Sequence, residues 1–170
     1  MKRLLIGASI LMMIPFIGCE DKESDKVNSI IIKEITTDNV NDGPYYYHFE
    51  NGKVDSSSWH LSYKNLDAGG GNYMPSFSLN NNVMVSINNS ISFDQIETAP
   101  DAGMFSPSSG RLSYGGANSV LNYDMVTHKI SVSDDNYVIY CTITHKVYKL
   151  HFDEYSSGVV MFRYAELGAK

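Results

Sequence analysis

The sequence predicts an all-β domain of antiparallel strands, and three observations carry that prediction. In "VYKLHFD" (147–153), Tyr148, Leu150 and Phe152 share one face while Val147, Lys149 and His151 share the other, the period of two of a half-buried strand. No stretch shows the 3.6-residue period of a helix. Runs of β-branched and aromatic residues recur between clusters of Gly, Asn, Asp and Ser, which punctuate strands.

Taken in order, "SIIIKEITT" (29–37) opens the domain with a β-branched run. "YYYHFENGKVD" (45–55) sets Asn51-Gly52 between two strand-like runs. That pair supplies the positive φ angles of a type I′ hairpin. "SWHLSY" (58–63) and "NVMVSI" (82–87) read as short strands, while "DAGGGNYMP" (67–75) and "SPSSG" (106–110) read as loops. "YVIYCTI" (137–143), "VYKLHFD" and "GVVMFRYAEL" (158–167) form three closing strands joined by short turns. Met161 and Phe162 read as core residues. No internal repeat is evident. Twelve Tyr and seven Phe are available to fill the core.

The N-terminus carries the strongest targeting signal. "MKRLLIGASILMMIPFIGC" has a basic start, an apolar stretch from Leu4 to Ile17, then Gly18 and Cys19. That is the layout of a secretory signal, and a cysteine directly after the small residue resembles a bacterial lipoprotein signal. The expected organisation is a signal peptide at 1–18, a flexible tether at 19–28 with Cys19 as the lipidation site, and one domain at 29–170. The apolar run is too short to span a bilayer. Cleavage after Gly18 would leave 152 residues with 11 basic and 19 acidic side chains, a net charge of −8. Such a balance argues against nucleic acid and anionic lipid as partners, so the lipid anchor is the expected membrane contact. Cys141 would be the one other cysteine, without an internal disulfide partner, and reads as a buried strand thiol.

Enzyme signatures are sparse. There is no G-x-S-x-G, H-E-x-x-H or P-loop pattern. The five histidines, His48, His60, His128, His145 and His151, form no close pair with zinc-ligand spacing. His145 reads as a turn residue, and His151 as part of a wet face shared with Lys149. Asp94, Glu97 and Asp101 in "FDQIETAPD" are carboxylates of the glycosidase kind, though a solvated loop accounts for them. "SDDN" (133–136) offers oxygen ligands without the patterned set of a calcium loop. Binding is therefore expected rather than catalysis. "NYDMVTHKIS" (122–131) holds two residue types that ligate haem iron, Met125 and His128.

In order along the chain, the lipoprotein cysteine and tether, "YYYHFENGKV", "SWHLSY", "GGGNYM" and the block from "LNYDMVTHKIS" to "VVMFRYAEL" resemble the HmuY-like haem-binding lipoproteins of Bacteroidetes. The resemblance spans roughly residues 28–170. It is strong at the C-terminus and loose between 64 and 118. It implies an all-β, hand-shaped fold with projecting hairpins. It also implies an outer-membrane or cell-surface location, and haem bound by two axial side chains and passed to a TonB-dependent outer-membrane receptor. By position in the family pattern, Tyr123-Asp124-Met125 makes Met125 one axial ligand. Met104, in "DAGMFSPSSG", is the best match for the other, ahead of Met74 and Met84. His128 falls where the pattern has no ligand. The chain departs from the family in its short Gly- and Ser-rich segment from Pro100 to Tyr123, and in His60, which stands where an acidic residue usually follows the Trp.

Two alternatives come from other classes. One is a surface module of the same fold holding a glycan, a peptide or a partner protein. The other is a small secreted hydrolase using the carboxylates near 94–101.

Overall fold

The computed structural model describes residues 30–168; the segments expected to be a signal peptide and a tether, with Cys19, lie outside the described residues. Among the described residues, twelve strands form two sheets and a separate hairpin. The six-stranded sheet contains β1 (Lys33–Thr36), β6 (Val83–Asn88), β7 (Ser106–Pro107), β10 (Asn136–Cys141), β11 (Val147–Ser156) and β12 (Val159–Leu167), in the order β1-β12-β11-β10-β6-β7. The four-stranded sheet contains β2 (Tyr45–His48), β3 (Lys53–Val54), β4 (Leu61–Gly69) and β5 (Asn72–Leu79), in the order β3-β2-β4-β5. The hairpin pairs β8 (Leu121–Asp124) with β9 (Lys129–Val132). All of these pairings are antiparallel. Two short 3-10 helices, Phe93–Gln95 and Ala102–Met104, are the helical elements of the described residues.

The sheets pack face to face through aromatic side chains. Tyr47 meets Phe162 with ring centroids 5.6 Å apart, and Phe77 meets Phe152 at 4.7 Å. The alternation read in β11 holds, because Tyr148, Leu150 and Phe152 are all buried in this core. Each such side chain contributes roughly 1.5–3 kcal/mol by leaving water. Phe162 is core as expected, but its neighbour Met161 is 41% exposed, since successive side chains of a strand point to opposite faces.

The outer face of the six-stranded sheet corrects another expectation. Lys149 is only 2% exposed and His151 is half-buried. The segment carrying the first 3-10 helix lies over this face, where Ile96 packs with Val138 and Leu167. Strand alternation fixed which side Lys149 points to, but not that another segment would cover it.

Turns account for the other differences. Residues 67–75 are mostly strand. β4 runs to Gly69 and β5 starts at Asn72, so the turn itself is Gly70-Gly71, with φ of +64° and +79°. Ser157-Gly158, at +49° and +94°, is the second two-residue turn of this kind, and a side chain on Gly158 would run into Asn39. The hairpin at Asn51-Gly52 exists, but not as a type I′ turn. Only Gly52 has positive φ, and the loop is the four residues Phe49–Gly52. Phe49 turns inward and is 1% exposed, so it cannot extend β2.

Two further hairpins share that four-residue construction. In the loops Phe49–Gly52, Met125–His128 and Thr142–His145, the fourth residue has φ of +61°, +55° and +58°. Its N–H donates to the carbonyl of the residue just before the loop, over 2.9, 2.8 and 2.9 Å. The last two loops lie in matching sequences, "YDMVTHK" (123–129) and "YCTITHK" (140–146). This recurrence spans one turn, far shorter than the roughly 20–50 residues of a repeat architecture.

Candidate functional site

The β8–β9 hairpin hydrogen-bonds as its own two-stranded sheet. Leu121 anchors it in the core, and Ile130 and Val132 pack against the same cluster. Its far end is exposed, with Met125 at 75% and Val126 at 87%. Asp124 Oδ1 accepts from the backbone N–H of Val126 at 2.7 Å and of Thr127 at 3.1 Å, fixing the loop. These bonds hold the Asp124 carboxyl below its ordinary pKa. His128 occupies the left-handed region, which L side chains adopt at a cost. Its Nδ1 lies 2.6 Å from the Tyr123 hydroxyl, a contact that ties the ring down. His128 is thus a turn residue, as expected, with its ring against a phenol. Tyr140 and His145 repeat the pairing at 2.5 Å.

Met104 ends the second 3-10 helix and is 63% exposed. The next residue, Phe105, places its ring 5.7 Å from that of Tyr140. Met125 therefore belongs to the Tyr123–His128 turn, while Met104 lies near the strand that leads into the Tyr140–His145 turn. Met84 sits in β6, opposite Tyr140 and Pro107. Met74 lines a small crevice with Pro75, Tyr114, Tyr123 and Ile130. Both primary candidates offer an accessible thioether, a donor type that suits haem iron. They stand on separate elements, and neither lines any of the five principal cavities.

Two histidines that are twelve residues apart in the sequence meet in the fold. His48 and His60 lie 8% and 7% exposed, with ring centroids 4.2 Å apart. His60 Nδ1 accepts from the Phe49 N–H at 3.2 Å, and His48 Nδ1 accepts from the Asn51 N–H at 3.2 Å. An accepting Nδ1 leaves the proton on Nε2 of a neutral ring. His60 Nε2 lies 3.6 Å from Cys141 Sγ, and Cys141 is a buried free thiol, as expected. Burial first, then repulsion from His48, pushes the His60 pKa down to about 4. A metal at either Nε2 would need that proton displaced while the Nδ1 lone pair is already engaged. Among the described residues, no group of three or more His, Cys, Asp or Glu is placed to hold a metal ion. The antiparallel register of β2 and β4, which pairs Tyr47 with Leu61, sets His48 beside His60, and sequence spacing alone does not give that register.

Asp94, Glu97 and Asp101 are exposed. Asp94 lies close enough to act on the Lys149 ammonium. That ammonium donates to the Phe93 carbonyl at 2.9 Å and sits 4.4 Å above the Phe93 ring. Burial pushes the Lys149 pKa down, against the pull of Asp94 and Glu97.

The chain matches no protein-family model and no curated protein.

Proposed function

We propose that this chain is a surface-anchored binding module rather than an enzyme, and that the ligand it takes is haem. In this reading the domain has the HmuY-like hand shape, Cys19 carries the lipid at the outer membrane or cell surface, and bound haem passes to a TonB-dependent receptor. The observation that carries it is the exposed Met125 on the fixed tip of a hairpin that hydrogen-bonds as its own two-stranded sheet. Met104 is the second thioether, supplied from a different element. A thioether is a soft, neutral ligand and favours ferrous over ferric iron.

The test is a haemin titration of the full-length protein in detergent micelles, with and without dithionite, followed at the Soret band. Binding should be stronger under reduction, and Met125→Ala should abolish the six-coordinate spectrum while His128→Ala keeps it. No Soret shift in either redox state would exclude haem. A loss on His128→Ala alone would move the ligand to the imidazole.

A second reading keeps the surface module and replaces haem with another ligand, a glycan, a peptide or a partner protein. What favours it is that Met104 and Met125 line none of the five principal cavities, while one of those cavities is walled by polar side chains.

A further inference from the structure

That polar cavity lies on the outer face of the six-stranded sheet and measures about 470 Å³. It shares no residue with the β8–β9 tip. Register explains its floor. Asn136 pairs with His151, and His151 with Arg163. Paired residues of neighbouring strands point to the same face, so these polar side chains form one row across three strands. The segment 89–94 makes the wall, with Ser90, Ser92 and Asp94, and Asp134 enters from the turn before β10. Two motifs that looked unrelated in the sequence, "FDQIETAPD" and "SDDN", therefore meet at one place.

Two groups at this site lack partners. Asn136 is 4% exposed, and its Nδ2 donates to the Ile91 carbonyl at 2.8 Å. That bond fixes the amide and leaves Oδ1 buried without a partner. His151 Nδ1 is also buried and unpartnered. Buried polar groups normally find partners, and exceptions call for an explanation. Arg163 is held rigid. Asp153, displaced outward by the β-bulge between Phe152 and Glu154, accepts from Arg163 Nε at 2.9 Å and from its terminal nitrogen at 2.8 Å.

The lining residues are mixed. The carboxylates of Asp94 and Asp134 accept, the Arg163 guanidinium and the Ser90 hydroxyl donate, and Asn136 and His151 bring the two buried, unpartnered atoms. An ammonium can only donate and a phosphate can only accept, so each would leave half of this lining unmet. A hydroxyl does both. Asp153 neutralises Arg163 and Asp94 acts on Lys149, which leaves Asp134 as the one carboxylate of the lining without a cationic counterpart among these groups. We infer that this cavity binds a neutral, hydroxyl-rich small molecule, a mono- or disaccharide, with Asn136, His151 and Asp134 taking its hydroxyl protons. Its size falls in the range of small-ligand sites, about 300–1,000 Å³. Phe93 offers no stacking surface, being 4% exposed with Lys149 and Arg163 against its ring, so recognition runs through hydrogen bonds alone. The inference rests on the second reading above and narrows it to one ligand class.

The test is saturation-transfer NMR on the full-length protein in a sugar-free detergent, with glucose, galactose, mannose and N-acetylglucosamine as separate probes. At least one sugar should receive saturation. Ser90→Trp, an exposed change that plugs the mouth, should abolish the transfer, and Asp134→Ala should weaken binding about tenfold. Asn136→Ala should lose it as well, with Ser90→Trp standing in if that variant fails to fold. No transfer to any of the four sugars, or transfer unchanged in Ser90→Trp, overturns the inference. The second reading fails by a different signal, a Soret shift with haemin, so the two failures are distinguishable.

Discussion

The molecule uses histidine in two opposite ways. In the buried cluster of His48, His60 and Cys141, each imidazole spends its Nδ1 on a backbone N–H of the Phe49–Gly52 loop. At the β8–β9 tip, His128 gives its Nδ1 to the Tyr123 hydroxyl at an exposed turn. The first arrangement ties a loop to the core, and the second ties down one side chain beside an open thioether. Residue type did not separate these roles. What each ring nitrogen touches, and how much water reaches it, did.

Breaking the buried cluster should cost the most. Phe49 stacks 5.7 Å from Tyr148 and 6.0 Å from His60 while its N–H serves His60. Phe49→Ala should destabilise the fold by about 3–5 kcal/mol, measured by urea unfolding. The comparable change at the tip, Val126→Ala, should stay within about 0.5 kcal/mol.

Acid should discriminate the two regions next. The His60 pKa is near 4 in the folded chain, below its ordinary 6.5. Between those values the unfolded chain binds the proton more readily. Stability is therefore full above pH 6.5 and falls as the pH drops toward 4, by about 3 kcal/mol. Unfolding curves across that window should show the slope, and His60→Gln should flatten it. A slope unchanged in His60→Gln would place the acid sensitivity elsewhere.

The tip should respond weakly. His128→Gly removes the Tyr123 contact but also the cost of a side chain in the left-handed region, so the net change should lie within about 0.5 kcal/mol. His128→Ala keeps that cost and loses the contact, and should destabilise by about 1 kcal/mol. Thermal unfolding of the pair would separate the two terms. The smallest effect belongs to Asp124. Its lowered carboxyl pKa means that the two loop bonds persist above its ordinary value of 3.8 and are lost only as the pH falls through the lower one. Hydrogen exchange at Val126 and Thr127 should then quicken in acid, with the rest of the fold little changed.

Much of the fold was legible in the sequence. β10, β11 and β12 were read from alternation and short turns, Cys141 as a buried strand thiol, and His128 and His145 as turn residues. Two of the differences are local, at turns. "DAGGGNYMP" was read as a loop because its glycines outweighed the strand residues beside them. Asn51-Gly52 was read as a two-residue turn because nothing local showed that Phe49 leaves the strand to fill the core. Within the candidate site, the exposure of Met125 and Met104 was not legible in the sequence.

By itself, the sequence determined the class of the fold, because the period of two, the absence of a helical period and the turn residues are all local properties. It also determined which side chains share a face in β11. Tertiary structure alone decided what covers each face. It brought His60 against Cys141, 81 residues apart, buried Lys149 beneath Phe93, and gathered Asp94, Asp134, Asn136, His151 and Arg163 around one cavity. The reason is physical. Alternation assigns a side chain to one of two sides, whereas its solvation and its partners depend on segments that arrive from far along the chain.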